Sequence, residues 1–305
     1  MAEAPQPLTG NLFVATGESG LRTFSRDGIT WTNQQTDREG ILLQYVCFAG
    51  GRCLAGGRYG GDRVIFTTSD GSTWTQAKLP GQPFSTRLEF FYAIGDRFYA
   101  VLHEDAQLPG IISSADGQTW DARQPMIDDP KLLKHDAHLR RIAHGDGRLV
   151  VLADYGARLA RKPGEAKFEA VPKPSARDTL IDLAFGNGVF VGGGLHGLRM
   201  RSVDGLEWTD RLVGEEGEHI NAMIFDGKQF VGIGQGATYF SPDGQTWRRE
   251  PNENAPTSAT FAEGAYVGSL WPGKLLRSTD GVHWKQVHEC PHHVLGLAYG
   301  RLGHG

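Results

Sequence analysis

One heptapeptide constrains this chain more than any other feature: Ser, any residue, Asp, Gly, two further residues, then Trp. It runs from Ser25 to Trp31, from Thr68 to Trp74 with Thr in place of Ser, and from Ser114 to Trp120. Further copies run from Ser202 to Trp208, Ser241 to Trp247 and Ser278 to Trp284, so six of the seven tryptophans occupy one slot. Successive copies place their tryptophans 43, 46, 88, 39 and 37 residues apart. The 88-residue gap holds two periods, and Arg161–Phe168 stands where a decayed copy belongs, with Gly164 kept and Phe168 replacing Trp. Seven repeats of about 40 residues have the period of solenoids and propellers.

Inside each repeat the order is constant. An apolar stretch meets a tight turn, a second apolar stretch follows, then a Gly-rich loop, then a third stretch ending in the heptapeptide. Ile220–Phe225 with Asp226-Gly227 and Gln229–Ile233 is one example, and Ile181–Phe185 with Asn187-Gly188 and Val189–Val191 is another. Asp-Gly and Asn-Gly between β-type runs are strong hairpin signals. The 42 glycines among 305 residues suit a chain made of such turns. Each repeat therefore predicts a four-stranded antiparallel meander. Val294–Gly300 reads as a first strand lacking a second, and Asn11–Gly17 as a second lacking a first. Pairing the two termini completes one blade and leaves no open sheet edge. The expectation is an all-β, seven-bladed β-propeller forming a single domain over residues 1–305, with residues 1–9 as a flexible N-terminal extension.

These heptapeptides resemble the Asp-box, or BNR-repeat, β-propellers, a superfamily that includes sialidases, sortilin-like receptors and photosystem II assembly factors. The resemblance covers essentially the whole chain, although the spacing between Asp and Gly is one residue shorter than in the commonest Asp-box. It implies that each box is a structural turn between the third and fourth strands, opposite the usual binding face. Physically, the Asp and Ser side chains satisfy turn N–H groups, Gly supplies a positive φ and Trp packs on the hairpin. A sialidase is not implied. Family sialidases are six-bladed and carry an arginine triad announced by a Phe/Tyr-Arg-Ile-Pro motif, which is absent here.

The net charge of −4 argues against nucleic-acid binding. No apolar run approaches the ~20 residues of a membrane span. Met1–Pro7 lacks the charged and apolar parts of a signal peptide but reads like the polar stretch after a cleaved leader, so an extracytoplasmic home and a monomer are expected. Cys47 and Cys53 flank the Gly50-Gly51 turn. If Ala49 faces Arg52, the two thiols fall on opposite faces of the hairpin and stay unbridged.

A site is sought among the loops that join blades and those between second and third strands. The segment Asp121–Ala137 and the loop His103–Gly110 are the longest of their kinds, and both serve blades 3 and 4. Residues 131–177 hold 11 Lys or Arg against 5 Asp or Glu. Such a basic sector can bind an anionic partner. His138, His219 and His293 each fall at the entrance of an inner strand, a pattern that could hold a divalent metal, the only cofactor suggested. His288, Cys290 and His292 alternate as a weaker soft-metal set. Gly192–Gly197 matches Gly-x-Gly-x-x-Gly, but it joins two strands and opens no helix.

Two functions follow. The first is a non-catalytic recognition propeller that binds an anionic glycan or a partner protein near blades 3 and 4. Its candidate contacts are Lys131, Lys134, Arg140, Arg141 and Arg158, with Tyr155 or Trp271 for stacking and His103, His196, His219 and His293 nearby. The second is a polysaccharide lyase acting on uronates. There Arg140 would neutralise the carboxylate, and His135, His138 or Tyr155 would remove the C5 proton. A hydrolase variant would use two of Glu104, Asp105, Asp128, Asp129 and Asp136.

Overall fold

The computed structural model describes residues 4–79, 86–104, 108–134, 136–172 and 174–303. Its strands form seven four-stranded antiparallel sheets, which makes the chain a seven-bladed β-propeller. Blade 1 holds β1 (Gly10–Gly17), β2 (Arg22–Ser25) and β3 (Trp31–Gln35), and its inner strand comes from the other end of the chain. Blade 2 comprises β4 (Ile41–Ala49), β5 (Arg52–Tyr59), β6 (Asp62–Thr68) and β7 (Thr75–Ala77). Blade 3 comprises β8 (Thr86–Ile94), β9 (Arg97–Glu104), β10 (Gly110–Ser114) and β11 (Gln124–Pro125). Blade 4 is β12 (Leu139–Gly145), β13 (Arg148–Ala153), β14 (Arg158–Arg161) and β15 (Glu169–Ala170). Blade 5 is β16 (Leu180–Gly186), β17 (Val189–Gly194), β18 (Arg199–Ser202) and β19 (Thr209–Leu212). Blade 6 is β20 (His219–Phe225), β21 (Phe230–Gln235), β22 (Ala237–Ser241) and β23 (Arg248–Pro251). Blade 7 is β24 (Ser258–Ala262), β25 (Ala265–Leu270), β26 (Lys274–Ser278) and β27 (Lys285–Glu289), and β28 (Val294–Leu302) completes blade 1.

By compactness the chain divides into two units. Residues 1–124, 267–277 and 285–305 form the first, and residues 125–266 and 278–284 the second. Buried residues in the first unit include Leu12, Val14 and Phe24 in one cluster and Leu54, Ile65 and Phe98 in another. The second is filled by clusters around Val150, Leu152 and Phe190 and around Val191, Ile220 and Phe230.

The termini pair as the sequence requires: β1 runs antiparallel to β28, with Val14 opposite Ala298. Ala49 faces Arg52 and Phe48 faces Cys53, and all three cysteines are free thiols. Burial pushes the Cys290 thiol up to about 12. Residues 4–9 differ from a loose extension. Leu8 N donates to Asp70 O at 2.6 Å, while Gln6 N and O bond the Asn33 side chain at 3.0 and 2.6 Å.

Each heptapeptide is a turn between the third and fourth strands of its blade. In blade 3, Gly117 N donates to Ser114 Oγ at 2.8 Å, and Gln118 N and Thr119 N both donate to Asp116 Oδ1 at 2.8 Å. The arrangement repeats around Asp27, Asp70, Asp204, Asp243 and Asp280. These amide donors hold the Asp116 and Asp243 carboxyls below the usual range. The native pKa therefore lies below the unfolded value of about 3.9, so the unfolded chain takes up protons first as acid is added. This part of the stability is complete above the unfolded value and is lost as pH falls through the native one. The urea midpoint is expected to drop between pH 6 and pH 3, and by less in an Asp116→Asn, Asp243→Asn variant.

A second recurrent device lies three residues before the box, where Arg22, Arg158 and Arg199 are all buried. Arg22 stacks on Phe66 and Trp74, Arg158 on Trp208, and Arg199 on Tyr239 and Trp247. Each guanidinium thus lies on the box tryptophan of the following blade and bonds the chain that leads there. Arg22 reaches Asp37, Arg158 reaches Asp178 O and Arg199 reaches Val213 O.

Candidate recognition surface on blade 4

Among the described residues the helical turns are three short ones, Pro130–Leu132, Asp154–Gly156 and Ala176–Asp178, all in segments leading into or out of blade 4 or within it. Asp129 caps the first by accepting from Lys131 N at 2.9 Å, and Pro130 supplies a preset φ at its start. Ser175 caps the third in the same way. The second turn joins β13 to β14 and packs on the third. Gly156, at φ +74°, lies so near Ser175 O that a Cβ would sit 2.0 Å from it. Glycine is required there, and it locks the two loops together.

The residue before it is Tyr155, an exposed tyrosine with φ +62°. Its hydroxyl donates to Asp136 Oδ2 at 2.7 Å, and Lys134 Nζ lies 4.1 Å from the ring centroid. The Asp136 carboxylate holds the Tyr155 phenol above its ordinary pKa. Beside it, Asp154 accepts from Arg140 Nε and Nη2 at 2.7 and 2.9 Å and from His138 N at 3.1 Å. Burial alone would raise the Asp154 carboxyl, but these donors outweigh it and hold it low.

The structure brings Lys134, Asp136, His138, Arg140 and Tyr155 together on one edge of blade 4, with Lys131 exposed on the first turn. Arg141, half exposed, lies 3.7 Å from Asp182. Arg158 corrects the expectation of a surface contact: it is 5 % exposed and committed to Asp178 O and Trp208. Asp128 pairs with Lys167 at 2.8 Å and Asp129 is the turn cap, so neither is an idle carboxylate. His135, Asp105 and the Glu104 side chain lie outside the described residues.

The remaining candidates are elsewhere. His103, on β9, has Nδ1 at 2.9 Å from Arg87 Nη2 and 3.6 Å from Glu89. His219 opens β20, and its Nδ1 accepts from His196 N at 3.2 Å while the two rings sit 5.6 Å apart. His138 and His293 immediately precede β12 and β28, as the repeat register predicts. Among the described residues, however, no three His, Cys, Asp or Glu side chains are grouped to hold a metal ion. The expected trio His138, His219 and His293 is therefore not such a group, and neither is His288, Cys290 and His292. His288 stacks on Trp31 and Cys290 is buried. Trp271, between β25 and β26, is 70 % exposed.

Two features escape a reading of the chain. The buried arginines are visible in hindsight, because Arg22, Arg158 and Arg199 share one register before the box. The acid network at Glu218 has no local signal, since Tyr239 and Arg249 reach it from separate strands.

The class is thus a seven-bladed β-propeller with a cationic, tyrosine-bearing edge on blade 4. No family model matches the chain, and no curated protein matches it. Solved structures do. YCF48 bound to D1 peptide is 18 % identical with a TM-score of 0.63, covering 94 % of each chain. YCF48 from Cyanidioschyzon merolae is 17 % identical with a TM-score of 0.56, covering 80 % of this chain and 84 % of that one. A candidate 6-phosphogluconolactonase from Bacteroides uniformis is 11 % identical with a TM-score of 0.63, covering 96 % of this chain and all of that one. At these identities the likeness is one of fold. In the described residues no helix is long and apolar enough to cross a membrane.

Proposed function

We propose that this propeller is a non-catalytic recognition module that holds an acidic segment of a partner protein on the blade 4 edge. The observation that carries the reading is Tyr155. A non-glycine residue in the left-handed region costs about 1–2 kcal/mol, and such strain clusters at functional sites. Here the strain coincides with a side chain that is exposed yet fixed in place by Asp136 and Lys134. A tyrosine held in advance is the kind of anchor that dominates protein interfaces. Lys134 lies on its ring, and the stretch it belongs to, residues 131–177, holds 11 Lys or Arg against 5 Asp or Glu. The bound D1 peptide on YCF48 supports a protein segment over a glycan as the ligand of a propeller of this shape.

The lyase reading has less support. Its neutralising cation, Arg140, is already paired in a fork with Asp154, and its base, Tyr155, has its phenol pKa raised by Asp136. A proton-abstracting tyrosine needs the opposite shift.

Selection from a random peptide library displayed on phage tests the proposal. Acidic segments are expected to be enriched, and their binding should weaken as salt rises. Tyr155→Ala should weaken the best peptide roughly 30-fold, the measure of a ~2 kcal/mol interface anchor. Tyr155→Gly should do the same with stability kept, because glycine relieves the left-handed strain. Lys134→Glu should weaken binding and flatten the salt dependence. No acidic enrichment, or peptides indifferent to both positions in folded variants, would refute the reading.

A further inference from the structure

Four of the exposed large hydrophobic side chains among the described residues, Tyr155, Leu195, Leu212 and Val213, stand on two consecutive blades. Leu195 is 47 % exposed and Val213 53 %. Scattered apolar residues on a surface need no explanation, but these lie on segments that touch.

Leu195 belongs to the turn joining β17 to β18, the blade 5 counterpart of the turn that carries Tyr155. It has the same pair of left-handed residues, His196 at φ +55° and Gly197 at +60°, where blade 4 has Tyr155 and Gly156. The turn is closed by bonds from Gly194 N to Leu198 O at 2.9 Å and from Leu198 N to Leu195 O at 3.1 Å. His196 N also donates to His219 Nδ1 at 3.2 Å, and Gly197 O accepts from Arg199 Nη1 at 2.8 Å. Leu195 is thus held in the open on a fixed turn.

Leu212 ends β19 opposite Arg199, and the chain after it runs along the same turn. Gly214 N donates to His196 O at 2.8 Å, and a Cβ on Gly197 would lie 2.9 Å from Gly214 Cα. Leu195, Leu212 and Val213 therefore come from two backbones in contact. A series of contacts leads from them to Tyr155. Arg211, next to Leu212, donates through Nε to Asp178 Oδ1 at 2.7 Å. Asp178 ends the third helical turn, whose cap Ser175 is the residue pressed against Gly156. Arg177, in that turn, is exposed and has no ion-pair partner among the described residues.

We propose that Leu195, Leu212 and Val213 receive an apolar side chain of the same partner segment whose acidic residues lie on the blade 4 edge. The inference rests on that reading and adds a specificity to it, an acidic run flanked by a leucine-like residue. Removing such a side chain from water on a preset apolar surface supplies binding that salt does not screen. A second copy of this chain fits the patch less well, because a symmetric interface would gather two unpaired Arg177 side chains.

A phage-displayed library with a fixed run of Asp and Glu between long random flanks tests the proposal. Leu, Ile, Met or Phe is expected to be enriched in one flank at a constant offset from the run. In the best peptide, replacing that residue with Asn should weaken binding about tenfold, as should the Leu195→Ser, Val213→Ser variant. The two changes together should cost little more than either alone, since both remove one contact. The substituted positions are exposed, so thermal unfolding should not move. Val213→Ile should keep the affinity. Tyr155→Ala, by contrast, should weaken the parent and Asn peptides by the same factor. Acidic runs that bind with no apolar preference in either flank, or additive losses in the cycle, would overturn this inference and leave the blade 4 reading intact. Failure of every acidic run to bind would remove the blade 4 reading and this one with it. A dimer of the intact protein that the serine variant dissociates would overturn it by assigning the patch to a second copy.

Discussion

Replacing Glu218 with alanine is expected to lower stability by about 3–5 kcal/mol, the usual effect of removing one partner of a buried charge network. The Glu218 side chain is 4 % exposed. Its Oε1 accepts from Arg249 Nε at 2.9 Å and from Arg249 Nη2, its Oε2 accepts from Glu215 N at 2.8 Å, and the buried Tyr239 hydroxyl also donates to it. Arg199 in turn stacks on the Tyr239 ring at 3.9 Å. Alanine would leave a buried phenol and a backbone amide without their acceptor and would take from Arg249 one of its two carboxylate partners, the other being Glu215 at 3.1 Å. Glu218→Gln, which keeps the shape and two of these acceptor roles, should lose clearly less. Urea denaturation of both variants measures this, and a loss below about 1 kcal/mol for alanine would show that water replaces the carboxylate without penalty.

The second large effect separates packing from backbone conformation. Gly205, in the blade 5 box, and Gly164, in the decayed box of blade 4, have nearly the same φ, +82° and +79°. A Cβ on Gly205 would meet Val150 Cγ2 at 2.4 Å and Ala160 Cβ at 2.9 Å, whereas a Cβ on Gly164 would meet nothing within 4 Å. Gly164→Ala should therefore cost only the left-handed penalty, about 1 kcal/mol. Gly205→Ala should cost that plus overpacking of 1–3 kcal/mol, roughly 2–4 kcal/mol together. Equal losses in urea denaturation would mean that the box glycines are kept for their φ alone. The same comparison explains how the blade 4 copy could decay. Its turn presses on no neighbour, and Phe168, 3 % exposed, fills the place of Trp with its amide bonded to Met126 O at 2.8 Å.

Much of the fold was legible because a repeat states its own register. Aligning the boxes located the third and fourth strands, the Asp-Gly and Asn-Gly turns located the hairpins, and the unmatched end strands implied the pairing of β1 with β28. The cysteine hairpin register was readable for the same reason, since strand period leaves only one partner once a turn is placed. The candidate site was legible in part. Loop length and charge pointed to blades 3 and 4; on blade 4 Lys134 lies on the Tyr155 ring and Arg140 pairs with the neighbouring Asp154. Charge counting misled at Arg158, because a long side chain near a sheet edge can reach solvent or the core, and the core tryptophan of the next blade took it. Nothing in the chain signalled that Tyr155 would sit at positive φ, next to the close approach of Gly156 to Ser175 nineteen residues on.

What the sequence determined by itself is the architecture, since hydrophobic alternation, turn residues and a 40-residue period are local facts that each blade repeats. What only the tertiary structure decided is which polar side chains face solvent, which are buried, and which meet. Tyr155 with Asp136, Glu218 with Arg249, and a pocket lined by Glu18, Glu39 and His292 join residues up to 274 positions apart. Such meetings depend on the twist and packing of whole blades, and no periodicity in the chain encodes them.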